Sequence, residues 1–270
     1  MKRIKTLGLI AMLVSCFFSI SVICKGAPEA GAPKGKQMYY EIRIYRISGP
    51  TQEAKMDDFL KNEFIPAVHR AGINTIGVFK PVEEDTTFGK IVYLFIPYKN
   101  MEQYIELGAK LERDPEYQKS GKPFLDAPYD DPSFTRYETV FLKAFNYMPE
   151  FRIPSFTTPR NERIYELRSY ESATEAKAAK KIQMFNEGGE IGIFEKIGAN
   201  AVFYAKVIMG SEMPRLMYMT TYANMKSHDD CWDAFRNHPD WKNLSVLKEY
   251  EHTVSKLYAY LLHPTSYSDF

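Results

Sequence analysis

Apolar and polar positions alternate with a period of two in Tyr40-Glu41-Ile42-Arg43-Ile44-Tyr45, and a near copy follows at Tyr165-Glu166-Leu167-Arg168-Ser169-Tyr170. Successive strand residues point to opposite faces, so each string predicts a strand with Glu, Arg and Tyr together on one side. The first strand extends over 37–47 until Gly49-Pro50 breaks it, and the period then lengthens. Met56, Phe59, Leu60 and Phe64 recur at three- and four-residue steps, which predicts a helix that Pro66 bends and Gly72 ends. Strands at 74–80 and 90–96 read as a hairpin. Asn100 with Gln103 is a capping box for a helix presenting Met101, Tyr104, Ile105 and Leu111 inward. Asp114-Pro115 opens a short helical turn, and the aromatic and β-branched stretch 134–145 closes the series as a strand.

After Pro149, Pro154 and Pro159 the same order begins again. Ser172 and Glu175 suggest a capping box for a helix with Ala178, Ile182 and Phe185 inward, interrupted at Gly188-Gly189 and resumed through Ile191, Phe194 and Ile197. Strands at 201–207 and 216–222, a helix from Asn224 to Phe235, a turn at His238-Pro239-Asp240-Trp241, a helical stretch at 244–251 and a strand at 255–262 complete it. Landmarks fall in register: Tyr165 follows Tyr40 by 125 residues, Gly198 follows Gly72 by 126, Asn224 follows Asn100 by 124, and Pro239 follows Pro115 by 124. A period this long marks a duplicated domain, not a solenoid. The expected organisation is a leader at 1–36, a ferredoxin-like βαββαβ repeat at 37–148, a Pro-rich linker at 149–162 and a second repeat at 163–270.

Composition narrows the function classes. The 270 residues are 45% hydrophobic and 26% charged, with 35 Lys and Arg against 34 Asp and Glu; a formal charge of +1 gives no reason to expect a nucleic-acid partner. Lys2, Arg3 and Lys5 precede an uncharged run from Leu7 to Ile23 and then a Gly, Ala and Pro-rich stretch, the pattern of a secretory leader and hence of a periplasmic or secreted protein. A retained N-terminal membrane anchor is the alternative, and Leu13-Val14-Ser15-Cys16 adds a lipobox-like reading with a lipidated Cys16. Cys16 and Cys24 fall in this leader, which leaves Cys231 alone in the mature chain and without an internal disulfide partner; beside Trp232 it reads as a buried, inert thiol.

Arg163-Ile164-Tyr165-Glu166-Leu167-Arg168-Ser169-Tyr170, the later His238-Pro239-Asp240-Trp241 and the order of elements between them resemble the NIPSNAP domain over 162–262; the first half carries weaker echoes in 40–45 and Asp114-Pro115-Glu116-Tyr117. The resemblance implies the dimeric α/β-barrel superfamily, in which two ferredoxin-like units join their sheets. The fold expected is therefore α+β, two tandem ferredoxin-like repeats forming an intramolecular α/β barrel, with a further homodimer as an option. Relatives on that barrel include cofactor-free monooxygenases and haem enzymes, whereas the NIPSNAP family itself has no settled chemistry, and a shared fold does not carry function.

No metal motif unites His69, His228, His238, His252 and His263, and no GxSxG, Walker loop or dinucleotide fingerprint occurs. No cofactor is called for; haem stays open through the resemblance alone, since no axial-ligand pattern singles it out. His228 stands four residues before Trp232 and seven before Phe235 on one helical face, and its counterpart in the first repeat is Tyr104, so core packing is its expected role. The candidate ligand-binding residues are Glu41, Arg43, Tyr45, Glu166, Arg168 and Tyr170. With helices covering the aliphatic side, these six are expected to face the barrel interior, as internal Glu–Arg pairs or as the walls of a small-molecule cavity. Two functions follow: an exported, non-catalytic module binding a small molecule or a protein, or an oxygenase-like enzyme acting on an aromatic or polyketide-like substrate.

Overall fold

Both faces of the repeated strands carry large side chains, and such strands are stable only where something covers each face. A computed structural model, which describes residues 36–270, shows how this is met. The expected leader, with Cys16 and Cys24, lies outside the described residues. The strands are β1 (Tyr39–Arg46), β2 (Gly77–Pro81), β3 (Ile91–Tyr98), β4 (Arg136–Ala144), β5 (Ile164–Glu171), β6 (Asn200–Met209), β7 (Arg215–Tyr222) and β8 (Lys256–Pro264). They close into a barrel in the order β1-β3-β2-β8-β5-β7-β6-β4. The orders β4-β1-β3-β2 and β8-β5-β7-β6 are one arrangement used twice, and the seams β2–β8 and β4–β6 join the two halves with antiparallel pairs such as Pro81 with Leu262 and Ala144 with Ala205. The mixed α+β barrel expected from the repeat is thus the fold.

Helices lie outside the strands: α1 (Pro50–Phe59), α2 (Ile65–Arg70), α3 (Met101–Arg113), α4 (Pro115–Ser120) and α5 (Lys122–Leu125) in the first half, and α6 (Glu175–Phe185), α7 (Glu190–Lys196), α8 (Met225–Asn237) and α9 (Pro239–Ser245) in the second. A π-helical turn, Leu60–Phe64, joins α1 to α2, so the chain stays helical through Pro66, which has no N–H to offer the ladder. Asn100 and Asn224 cap α3 and α8 by accepting from the N–H groups of Gln103 and Ser227. Three local expectations change. Ile105 is 69% exposed and Leu107 packs in its place. Thr174, not Ser172, caps α6, because the Ser172 hydroxyl donates to the Thr253 carbonyl. The stretch 244–251 is the end of α9 and a single 3-10 turn, Lys248–Tyr250.

The larger correction concerns which strand face looks inward. One buried cluster draws Tyr40, Ile42, Phe79, Phe95, Leu142, Tyr165, Leu167, Phe203, Met217 and Leu262 from all eight strands and includes no helical residue, so it fills the barrel lumen. Tyr45 instead packs with Met56, Phe59 and Phe64 beneath α1 and α2, and Tyr170 with Phe185, Phe194 and Phe235 beneath α6 to α8. Glu41, Arg43, Tyr45, Glu166, Arg168 and Tyr170 therefore face the helices, not the interior, and Arg43 and Arg168 do not share a polar centre. The physical reason is volume and desolvation. An eight-stranded barrel is narrow enough for side chains to fill, and the large rings and aliphatic groups that fill this one leave no room for water around a charge. Phe151 from the linker and Phe270 complete this filling, their rings 6.2 Å apart and each about 6 Å or less from Phe95.

Candidate functional site

Beneath the second-half helices the outer face of β5 does what the sequence suggested locally. Arg168 reaches back two residues and donates from Nη1 to Glu166 Oε1 at 2.5 Å, while its guanidinium lies 4.4 Å from the Trp232 ring centre and 5.6 Å from that of Tyr170. The Trp232 indole N–H donates to Glu166 Oε2 at 2.7 Å. His228 Nε2 stands 3.4 Å from the same oxygen, a charge contact and not a formed hydrogen bond, and Nδ1 lies 2.9 Å from Asp229 Oδ1. The four- and three-residue steps along α8 place His228, Trp232 and Phe235 on one face, as expected; His228 is nevertheless part of a polar contact, not only of the core.

The other wall rests on a break in the helix. Gly189, at φ +86°, turns the chain so that α7 starts at Glu190, and a Cβ on Gly188 would meet the Met184 carbonyl oxygen at 2.6 Å. Glu190 then faces Lys181 of α6 with Nζ and Oε2 2.7 Å apart, both side chains withdrawn from solvent at 6% and 2% exposure. Three rings surround the ammonium: Phe185 at 4.8 Å, and Tyr170 and Trp241 at 5.7 Å. Between these walls is a cavity of about 740 Å³, closed further by Phe194, Phe235, Val254 and Leu257.

Burial opposes ionisation of Glu166, but His228, Arg168 and the Trp232 N–H outweigh it and hold the carboxyl below its ordinary value. Burial also opposes charge on His228, and the facing carboxylates of Glu166 and Asp229 reverse this and raise its pKa. Glu190 goes the other way: complete burial lifts its carboxyl in spite of Lys181. Tyr170, whose hydroxyl is 2.9 Å from that of Tyr218, is raised by burial, and burial lifts the Cys231 thiol to about 11, consistent with an inert thiol. A depressed carboxyl stabilises the fold above its unfolded pKa and loses that contribution as pH falls through the folded value. Glu166→Gln should therefore cost about 2 kcal/mol at neutral pH and progressively less on acidification. Urea unfolding at a series of pH values checks this; a cost that stayed constant into acid would assign the effect to packing.

The first half provides an internal control. Glu41, Arg43 and Tyr45 occupy equivalent positions, and Arg43 again donates to Glu41, but Tyr98 supplies the hydroxyl to Glu41 at 2.6 Å and Phe64 takes the space against Arg43 with its ring centre 5.4 Å away. At the repeat offset of 124 to 126 residues, Met56 and Ile65 stand where Lys181 and Glu190 stand, and Gly108 where Trp232 does. Both Met56 and Ile65 are core residues. Only the second triplet lines the cavity described, so the six candidates form two separate clusters, of which Glu166, Arg168 and Tyr170 border open space. Lys181, Glu190, Asp229 and Trp241 were not among the expected site residues; comparing position 181 with 56 and 190 with 65 is the signal that picks out the first two.

Haem, left open by the resemblance, would need an axial ligand. The cavity wall offers one imidazole, and both nitrogens of His228 face carboxylates; the wall contains no Cys or Met, and the Tyr170 hydroxyl is taken by Tyr218. The residues do not fit that group. Among the described residues no cluster of His, Cys, Asp and Glu is arranged to hold a metal ion.

Comparison with known proteins gives the same division between the halves. The NIPSNAP family model matches residues 165–269. No curated protein matches the chain. Among solved structures, an anthrone oxidase-like protein aligns with TM-score 0.50 at 10% identity, covering 87% of this chain and 93% of that one. A putative monooxygenase from Lactobacillus acidophilus NCFM aligns with TM-score 0.49 at 12% identity over 85% and 94% of the two chains. An uncharacterized NIPSNAP-like domain protein from Burkholderia xenovorans is 19% identical, with TM-score 0.36, over 40% of this chain and 90% of its own. Likeness at these identities speaks for fold alone. The half that holds the cavity matches the NIPSNAP family model over residues 165–269, and it is built into a chain whose eight strands close as one α/β barrel.

Proposed function

We propose that the chain is a small-molecule-binding protein whose site is the cavity of the second half. One observation carries the reading: a cavity of about 740 Å³, within the range of ligand pockets, opens beside a buried Lys–Glu pair that the same fold replaces with Met56 and Ile65 in its other half. The barrel does not require such a pair, and buried ion pairs are a poor way to gain stability, so a local use for it is the better account. The wall suits an organic ligand. Phe194, Trp232, Phe235 and Trp241 supply apolar ring surface, and the charged groups at its base supply polar orientation.

Both tryptophans of the chain, Trp232 and Trp241, line this cavity, so occupancy should be visible in intrinsic fluorescence. Titration with the uncharged dye Nile red is expected to brighten the dye and quench the protein in one saturable phase. Leu257, 46% exposed at the cavity rim, offers a block: Leu257→Trp should weaken dye binding about ten-fold or more. Unsaturable dye uptake, or uptake indifferent to that substitution, would place any binding elsewhere.

A further inference from the structure

Resting on the cavity as a binding site, we infer that its ligand carries no net charge: it is a flat aromatic compound whose polar groups are neutral hydroxyl or carbonyl oxygens. The ground is that every acidic side chain in the wall already has a basic one beside it, and every basic one an acid. Arg168 is joined to Glu166, Lys181 to Glu190, Arg236 to Asp233, and His228 lies between Glu166 and Asp229. Glu166, Glu190, Asp229 and Asp233 are the four acidic side chains of the wall and Arg168, Lys181, Arg236 and His228 its four basic ones, so no acid of the wall stands without a base against it.

A site built for a carboxylate, phosphate or ammonium keeps a counter-charge in reserve. Here none is in reserve. Arg168 Nε and His228 Nε2 are buried without a hydrogen-bond partner and can meet a neutral oxygen, whereas an anionic ligand at Arg168 or Lys181 would also face the carboxylate already held there, and a cationic ligand at Glu166 or Glu190 would face the guanidinium or ammonium in the same way. The two buried cations are also held by rings: Arg168 lies over Trp232, and Lys181 sits among Phe185, Tyr170 and Trp241. What the wall leaves for a ligand is ring surface with polar atoms at its base, which selects a planar and uncharged molecule.

The test uses one ring system in three charge states: naphthalenemethanol, naphthoate and naphthylmethylammonium, measured by equilibrium dialysis against the full chain at neutral pH. Naphthalenemethanol is expected to bind at least about ten-fold more tightly than either charged homologue. Glu190→Gln removes one acid and frees Lys181, so the preference over naphthoate should shrink by about ten-fold or reverse. Naphthoate or the ammonium binding the unmodified chain as tightly as the alcohol overturns the inference while leaving the binding site standing. Failure of all three to bind, or binding insensitive to Leu257→Trp, overturns the binding reading and this inference with it. The comparison on the unmodified chain decides the matter even where Glu190→Gln does not fold.

Discussion

Residues 163–270 expressed alone should self-associate or precipitate, not fold as a stable monomer. The lumen explains why. Tyr165, Leu167, Phe203, Met217, Met219 and Leu262 are buried there against Tyr40, Ile42, Phe79, Phe95 and Leu142 of the other half. Exposing a large apolar side chain costs about 1.5–3 kcal/mol, so uncovering six removes roughly as much as the 5–15 kcal/mol that holds a typical domain folded. The cut also leaves β6 and β8 as open edges, since their outer partners are β4 and β2. Two copies can repair both faults together by pairing β6 of each with β8 of the other, reproducing the seams of the intact chain. Size-exclusion chromatography with urea unfolding tests this, and a monomeric half with one cooperative transition would count against the lumen as the main source of stability.

Lys181→Met is expected to cost about 3–5 kcal/mol, because it strands Glu190 in a place water does not reach. Adding Glu190→Ile should recover most of that loss, since the double variant copies Met56 and Ile65, which the first half buries in its core. The single substitution carries a pH signature as well. Burial already raises Glu190, and without Lys181 its folded pKa rises further above the unfolded one. An acid with a raised folded pKa destabilises as pH climbs above its unfolded value, so the cost of Lys181→Met should grow from acid towards neutral pH. Urea unfolding of both variants across that range measures it. A double variant no more stable than the single would mean that the second half cannot repack as the first does.

The repeat was legible because helix breaks and caps are written into specific residues. Gly72 and Gly198 turn the chain at positive φ, Asn100 and Asn224 cap equivalent helices, and the strands alternate plainly between them. The direction of the strands' faces was not legible. Alternation separates Glu41, Arg43 and Tyr45 from Tyr40, Ile42 and Ile44, but in a barrel wrapped by helices both sets are covered, and polarity alone does not say by what. Partners from distant helices decide it: Trp232 and His228 reach Glu166 across more than 60 residues of sequence, which no local pattern on β5 contains. Lys181 and Glu190 were hidden for a different reason. Each reads as an ordinary solvated helix charge, and only the turn at Gly188-Gly189 brings the two together.

The β2–β8 and β4–β6 seams lie within one polypeptide, and this changes what the barrel is free to become. A barrel made from two identical subunits repeats every substitution on both sides, so any pocket it opens, it opens twice. Covalent fusion removes that obligation. One half keeps Met56, Ile65 and Phe64 as packing, while the other accommodates Lys181, Glu190 and Trp232 around an opening. Under the binding proposed above, the expected stoichiometry is one molecule per chain, with a hyperbolic isotherm and no homotropic cooperativity within the barrel.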